Sequence, residues 1–170
     1  MEPPITLGFY ENFPENVHRI TRFSASVSSK RLQQALLRII CETNSKTLKL
    51  EDITHPSIPK CTVILEWGIA EANDFSYLDA EETNKVLKVI QKKPFQTTDL
   101  FCVIRYYKTQ NEKRTPLKFD YYMVRLTFNK NSVETQIFHE KGPRYITPED
   151  LTDFIANKIN NALSKRALKL

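Results

Sequence analysis

Residues 101–128, "FCVIRYYKTQNEKRTPLKFDYYMVRLTF", contain two aromatic and β-branched runs on either side of a basic, polar connector. Within each run the apolar residues recur with a period of two, which is typical of strands whose two faces have different surroundings. We therefore predict a hairpin with one face packed against helices. The set expected to point inward is apolar throughout: Leu100, Cys102, Ile104, Tyr106, Tyr122, Val124, Leu126 and Phe128.

The opposite face of this hairpin mixes aromatic and cationic side chains. The predicted patch consists of Phe101, Arg105, Tyr107, Tyr121, Met123 and Arg125, and the rim adds Lys108, Lys113, Arg114 and Lys118. Nucleic acid bases stack on aromatic rings at about 1–3 kcal/mol each, while cations follow the phosphates. The first functional hypothesis is therefore a non-enzymatic protein that binds single-stranded nucleic acid, or its backbone, with Phe101, Tyr107 and Tyr121 as stacking rings.

Other interpretations of the same face compete with this hypothesis. Tyr and Arg also serve ordinary cross-strand packing, and the Pro-, Phe- and Tyr-rich residues 1–16 could cover the face. A partner protein is a further occupant, because interface cores favour Tyr, Phe, Met and Arg. The second functional hypothesis is accordingly an assembly subunit or adaptor that docks a protein, including a second copy of itself, through this face or the C-terminal helix.

Three helices are predicted from their capping residues. Ser29 precedes an apolar stripe that fades near residue 44, and Asp79 begins a second helix that Pro94 ends. Thr147 followed by Pro148 begins a third, long helix with a clear apolar stripe.

Segments 17–27, 61–70, 100–108, 118–129 and 133–139 are predicted as strands, with a short extra strand at 47–51. The connector 109–116 is predicted as a loop, and "NKNS" at 129–132 as a tight turn. The expected fold class is α+β: a mostly antiparallel sheet of about five strands, three helices, and the long C-terminal helix packed on one face. We expect a single domain over 1–170, with 1–16 as an irregular N-terminal arm.

Charge is unevenly distributed along the 170 residues, whose formal net charge is +5. Residues 1–85 hold 9 Lys and Arg against 12 Asp and Glu, whereas residues 86–170 hold 16 against 8. A basic half suits a polyanionic partner, although the same charge also serves solubility.

Signals for enzyme, cofactor or membrane functions are weak. The sequence has no phosphate-binding loop, dinucleotide fingerprint or zinc-binding motif, so neither a cofactor nor a metal is expected. His139-Glu140 could act as a base and an acid, but a solvated strand end is the plainer interpretation. No apolar run approaches the roughly 20 residues that span a bilayer. The three separated cysteines favour a reducing compartment, cytoplasmic or nuclear.

Overall fold

The computed structural model describes residues 6–44, 46–54, 61–110 and 113–170. For residues 109, 110, 113–115 and 117 it describes the backbone but not the side chains. Within these ranges the chain forms one antiparallel sheet with helices on one face.

The described part of the chain contains nine strands, three α-helices and a single 3₁₀ turn. The helices are α1 (Ser29–Thr43), α2 (Ala80–Lys92) and α3 (Pro148–Ala162), and the 3₁₀ turn is Leu50–Asp52. The strands are β1 (Thr6–Phe9), β2 (Arg19–Ala25), β3 (Thr47–Lys49), β4 (Cys61–Glu71), β5 (Asp74–Tyr77), β6 (Thr97–Gln110), β7 (Lys113–Asn129), β8 (Ser132–Lys141) and β9 (Leu168–Lys169).

The prediction of about five strands is wrong, although the α+β class is correct. The strands that were missed, β1, β5 and β9, have only two to four residues each, too few to show a clear alternating pattern. The predicted loop 109–116 is also wrong, because β6 and β7 pair as far as Gln110 and Lys113. The predicted turn at 129–132 is confirmed, since Asn131 adopts a left-handed conformation with φ 66°.

The strand order places the first two strands of the chain, β1 and β2, near opposite edges of the sheet. The order is β1-β5-β4-β6-β7-β8-β2-β9, with β3 paired to β4, and every strand pair is antiparallel. β1 lies at one end, whereas β2 lies beside β8 near the other. Residues 10–18, which connect β1 to β2, must therefore cross the sheet, and we call them the crossing segment.

Side-chain caps begin all three helices. Asp79 accepts a hydrogen bond from the backbone N–H of Glu82, and Thr147 accepts one from Asp150, as predicted. For α1 the cap is Ser28 rather than Ser29, because Ser28 Oγ accepts from the N–H of Arg31.

The main core lies between the sheet and the helices. The predicted inward set of the β6–β7 hairpin is confirmed, since all of its members are buried there. Trp67 of β4, the single tryptophan of the chain, is also fully buried in this core. Its fluorescence is therefore a direct probe of unfolding.

A pair of carboxyl groups joins the start of α2 to the end of β4. Glu82 is buried, and its Oε1 has no hydrogen-bond partner among the described residues. Burial, together with the hydrogen bond to Glu71 and its charge, raises the pKa of Glu82 from 4.5 to about 7. Ser76 Oγ donates to Glu71 Oε2 at 3.0 Å, which favours the proton on Glu82.

This raised pKa predicts that Glu82 makes the protein less stable as pH rises. Between about pH 4.5 and about pH 7 the folded chain keeps a proton that the unfolded chain releases, so the free energy of unfolding falls with pH in this window. Glu82→Gln removes that titration. The free energy of unfolding of the variant, minus that of wild type, should therefore increase by about 2 kcal/mol from the low-pH end of the window to the high-pH end. Urea unfolding followed by Trp67 fluorescence at each pH measures the difference, and a constant difference contradicts the prediction.

Candidate nucleic-acid interface

The crossing segment covers part of the outer face of the sheet. Tyr10 packs edge-on against Phe75 of β5, with ring centroids 4.7 Å apart, and Phe13 is buried. At the far side, His18 stacks on Phe138 of β8 at 5.0 Å. Tyr10 and Phe13 belong to a second apolar cluster together with Phe75, Phe138 and outer-face residues of β6 and β7.

Arg125 is held by this cover. Its Nε and Nη2 donate to the two carboxylate oxygens of Asp99 at 2.7 and 2.9 Å. The centroid of the Phe13 ring lies 4.5 Å from the guanidinium carbon. The hydroxyl of Tyr10 also donates to Asp99. The hydrogen bond to Asp99 raises the pKa of Arg125, while burial, followed by Asp99, raises the pKa of Tyr10 to about 12. The cation of Arg125 is thus already neutralised, which argues against its predicted role at a phosphate.

Phe101 and Met123 are buried under the same cover. Phe101 stacks between Phe75 at 5.1 Å and Tyr121 at 5.9 Å, so both of its ring faces have protein neighbours. The predicted stacking of a base on Phe101 therefore conflicts with the observed packing. Neither residue remains a candidate for direct contact with a ligand.

The half of the outer face next to the hairpin tip is more open. Phe119 of β7 has 46% of its surface exposed, and Tyr107 and Tyr121 are half-buried. Arg105 of β6 pairs with Phe119 of β7 in the sheet, and its guanidinium carbon lies 5.9 Å from the centroid of the Phe119 ring. Arg105 also forms an ion pair with Glu66 at 3.0 Å. We call this region the open half; it consists of Arg105, Tyr107, Lys118, Phe119 and Tyr121.

A cavity of about 450 Å³ adjoins the open half. Its walls are one edge of β7 and the connection that follows β8. Two lysines stand at this cavity and no carboxylate lines it in the described part of the chain. The lining residues are Lys118, Phe119, Tyr121, Lys141, Gly142 and Pro143. Ligand pockets commonly range from about 300 to 1,000 Å³, and the volume of this cavity falls within that range.

The remaining predicted residues lie around the hairpin tip. Lys108 and Lys118 are exposed. Lys113 and Arg114 occupy the first two positions of β7, where their backbones pair with Gln110 and Thr109. Their side chains lie outside the part of the chain that the structure describes.

A fully buried carboxylate supports the cavity from the inner face. Asp120 accepts hydrogen bonds from the Tyr106 hydroxyl at 2.5 Å and from His139 Nε2 at 2.8 Å. It also accepts from the backbone N–H groups of Arg144 and Tyr145 at 2.7 and 2.9 Å. These bonds tie the connection after β8 to β7, so Asp120 shapes the cavity wall without facing the cavity.

The patch predicted from the sequence leaves out three residues of this region, namely Phe119, Lys141 and Asp120. The alternation of β7 already places Phe119 on the outer face with Tyr121, and Asp120 on the inner face with Tyr122. An ionisable residue at an inward position was a usable signal, because buried carboxylates need several donors. Lys141 is brought to the site by a register shift between Tyr121 and Tyr122, which the sequence does not reveal.

Other kinds of site find little support in the described ranges. Cys61 and Cys102 are buried, and burial raises the pKa of both thiols, which disfavours a reactive thiolate. His139 is engaged by Asp120 and Tyr122 rather than by Glu140. In residues 6–44, 46–54, 61–110 and 113–170, no cluster of three metal-ligating side chains occurs, and no helix has the length and apolar character to cross a bilayer.

Comparisons of the chain with protein-family models, with curated proteins and with solved structures found no match.

Proposed function

We propose that this chain is a non-enzymatic nucleic-acid-binding protein that holds single strands on the open half of its sheet. The observation that carries the proposal is the exposed ring of Phe119, which lines a cavity of about 450 Å³ together with Lys118 and Lys141. A base stacking on this ring would bring its flanking phosphates within reach of the two lysines. The site is smaller than the patch expected from the sequence, because Phe101, Met123 and Arg125 are covered.

Tyr107 and Tyr121 extend this surface along the sheet. Tyr121 stands two positions from Phe119 on the same strand, and their ring centroids are 6.5 Å apart with a tilt of 48°. Because the two rings lie side by side, successive bases would stack on them in turn rather than insert between them. Readout of this kind depends on aromatic faces and backbone charge, so we expect little sequence preference.

Binding of a labelled single-stranded oligonucleotide, followed by fluorescence anisotropy at low salt, tests the proposal. We expect Phe119→Ala to weaken binding about fivefold or more, since one stacked base contributes about 1–3 kcal/mol. Lys118→Gln combined with Lys141→Gln should lower the slope of log K against log salt by about 0.7 for each lost phosphate contact.

Two variants serve as matched controls. Phe9→Ala removes an exposed ring of β1, and Lys130→Gln removes an exposed cation at the turn between β7 and β8. Both should bind like wild type. The proposal fails if wild type shows no binding at low salt, or if Phe9→Ala weakens binding as much as Phe119→Ala.

A partner protein on the same surface is the alternative function. Exposed Phe119 is the observation that favours it, since aromatic residues are enriched in interface cores. The C-terminal helix is a poorer candidate, because its apolar stripe is buried in the core and no large apolar residue of α3 is exposed. A complex in size exclusion that Phe119→Ala abolishes, without oligonucleotide binding, would favour this alternative.

A further inference from the structure

The helical layer, on the opposite side of the sheet from the crossing segment, carries a dense positive charge. Residues 29–41 and 83–98 contain no Asp or Glu. The cations of these two runs define what we call the α1–α2 surface: Lys30, Arg31, Arg38, Lys85, Lys88, Lys92 and Lys93. Six of these cations lie on α1 and α2 and Lys93 follows α2, whereas the acidic residues of the two helices, Glu42, Glu81 and Glu82, lie outside the two runs.

Hydrogen bonds fix the two helices side by side. Gln34 Nε2 of α1 donates to Gln91 Oε1 of α2 at 2.9 Å on the exposed side. Beneath it, fully buried Gln33 donates to the carbonyl of Phe95 at 2.7 Å and accepts from its N–H at 2.9 Å. The N-terminal half of α1 therefore lies beside the C-terminal end of α2, and the cations of both helices share one surface.

The cations form two rows. Arg31 and Arg38 are seven positions apart on α1, as are Lys85 and Lys92 on α2. Seven residues make nearly two turns and rise about 10 Å, so each pair points in nearly the same direction. Neighbouring helix axes are commonly about 8–10 Å apart. All four side chains are exposed, and Lys88 lies between Lys85 and Lys92.

These charges are mostly unpaired within the described residues. Lys85 approaches Glu82 at 4.0 Å, but no described carboxylate lies within ion-pair distance of Arg31, Arg38, Lys88 or Lys92. Holding so many cations together costs repulsion that a polyanion would relieve.

The composition of the surface selects among polyanions. Neither α1 nor α2 contains an aromatic residue, so unpaired bases would have no ring on these helices to stack on. The apolar faces of both helices are buried against the sheet, and Val89 is the one large apolar residue of the two that the structure shows exposed. A bilayer would thus gain little from insertion here. A duplex presents one charge per about 1.7 Å of axis, twice the density of one of its strands.

We propose that the α1–α2 surface binds the phosphate backbone of double-stranded nucleic acid. Two rigid rows of cations match a ligand whose charge is dense, regular and carried on the outside of a stiff rod. The site is independent of the open half, because it lies on the other face of the sheet and shares no residue with it.

The test uses the full chain and a short labelled DNA duplex, with binding measured over a salt series. The variant Arg38→Gln/Lys88→Gln/Lys92→Gln removes three exposed cations of the surface and spares the Lys85 contact. We expect the slope of log K against log salt to fall by about 0.9 for each lost contact. The control variant Lys130→Gln/Lys165→Gln/Arg166→Gln removes three exposed cations elsewhere and should keep the wild-type slope. Equal urea midpoints by Trp67 fluorescence establish that both variants fold.

Each outcome decides the proposal. A loss confined to the α1–α2 variant, with Lys118→Gln/Lys141→Gln binding duplex like wild type, supports it. An equal loss in the control means that net charge alone acts, which overturns it. Absence of duplex binding at about 50 mM salt also overturns it. The proposal is likewise overturned if the protein binds phosphatidylserine vesicles and the α1–α2 variant loses that binding while its duplex binding stays unchanged. Because the open half is tested with single strands and different variants, either site can fail alone.

Discussion

Asp120→Ala is expected to destabilise the protein by about 3–5 kcal/mol, the range observed when one partner of a buried charged network is removed. Asp120 is fully buried and is the shared acceptor for Tyr106, His139 and two backbone N–H groups. Alanine would leave the buried Tyr106 hydroxyl and three part-buried donors without this acceptor, and an unsatisfied buried group costs about 1–3 kcal/mol. The free energy of unfolding, measured in urea with Trp67 fluorescence, gives the loss directly.

A graded series separates the lost hydrogen bonds from the lost volume. Asp120→Asn keeps the shape and one carbonyl acceptor but turns an amide N–H₂ group toward some of the donors, so its loss should be smaller than that of alanine. Tyr106→Phe removes a single donor and should cost about 1–2 kcal/mol. Asp52→Ala, at an exposed aspartate, should stay within about 0.5 kcal/mol of wild type. A matching small change for Asp120→Ala would contradict the structural role.

The predictions that succeeded depend on local patterns. Alternation along β6 and β7 separates inner from outer residues, because side chains of a strand point to opposite faces with a period of two. The caps Asp79 and Thr147 are recognisable because the side-chain oxygen bonds to an N–H only three residues ahead. The same alternation, extended by one period of two residues before Tyr122, places Asp120 on the inner face.

The predictions that failed depend on contacts distant in sequence. The composition of residues 1–16 left cover of the outer face as one alternative, but Tyr10 and Asp99 are 89 positions apart, so the sequence does not show that Arg125 and Phe101 are the residues covered. The hairpin of β4 and β5 turns at Ala72, whose φ of 53° is a conformation usually assigned to Gly or Asn. Short strands that exist only through such pairing explain why the sheet was predicted with too few strands. They also explain why the site was predicted larger than the surface that remains open.

Gly142→Ala is the second substitution with a large expected effect, about 3 kcal/mol or more. Gly142 has φ +114°, which L side chains rarely adopt. A Cβ there would lie 2.2 Å from the carbonyl oxygen of Phe119 and 2.4 Å from Oδ1 of Asp120. Neither atom can move without cost, since one is backbone and the other holds the buried network. The free energy of unfolding, again followed by Trp67 fluorescence, measures the loss.

Gly8→Ala is the matched control, because it separates the backbone conformation from the steric overlap. Gly8 also has positive φ, +157°, but a Cβ there would meet nothing within 4 Å. Its loss should therefore be clearly smaller than that of Gly142→Ala. Near-equal losses would mean that the approach of Gly142 to Phe119 and Asp120 does not limit stability. Because this approach forms the wall beside Lys141, any Gly142→Ala protein that folds should also bind single strands more weakly if the open half is the binding site.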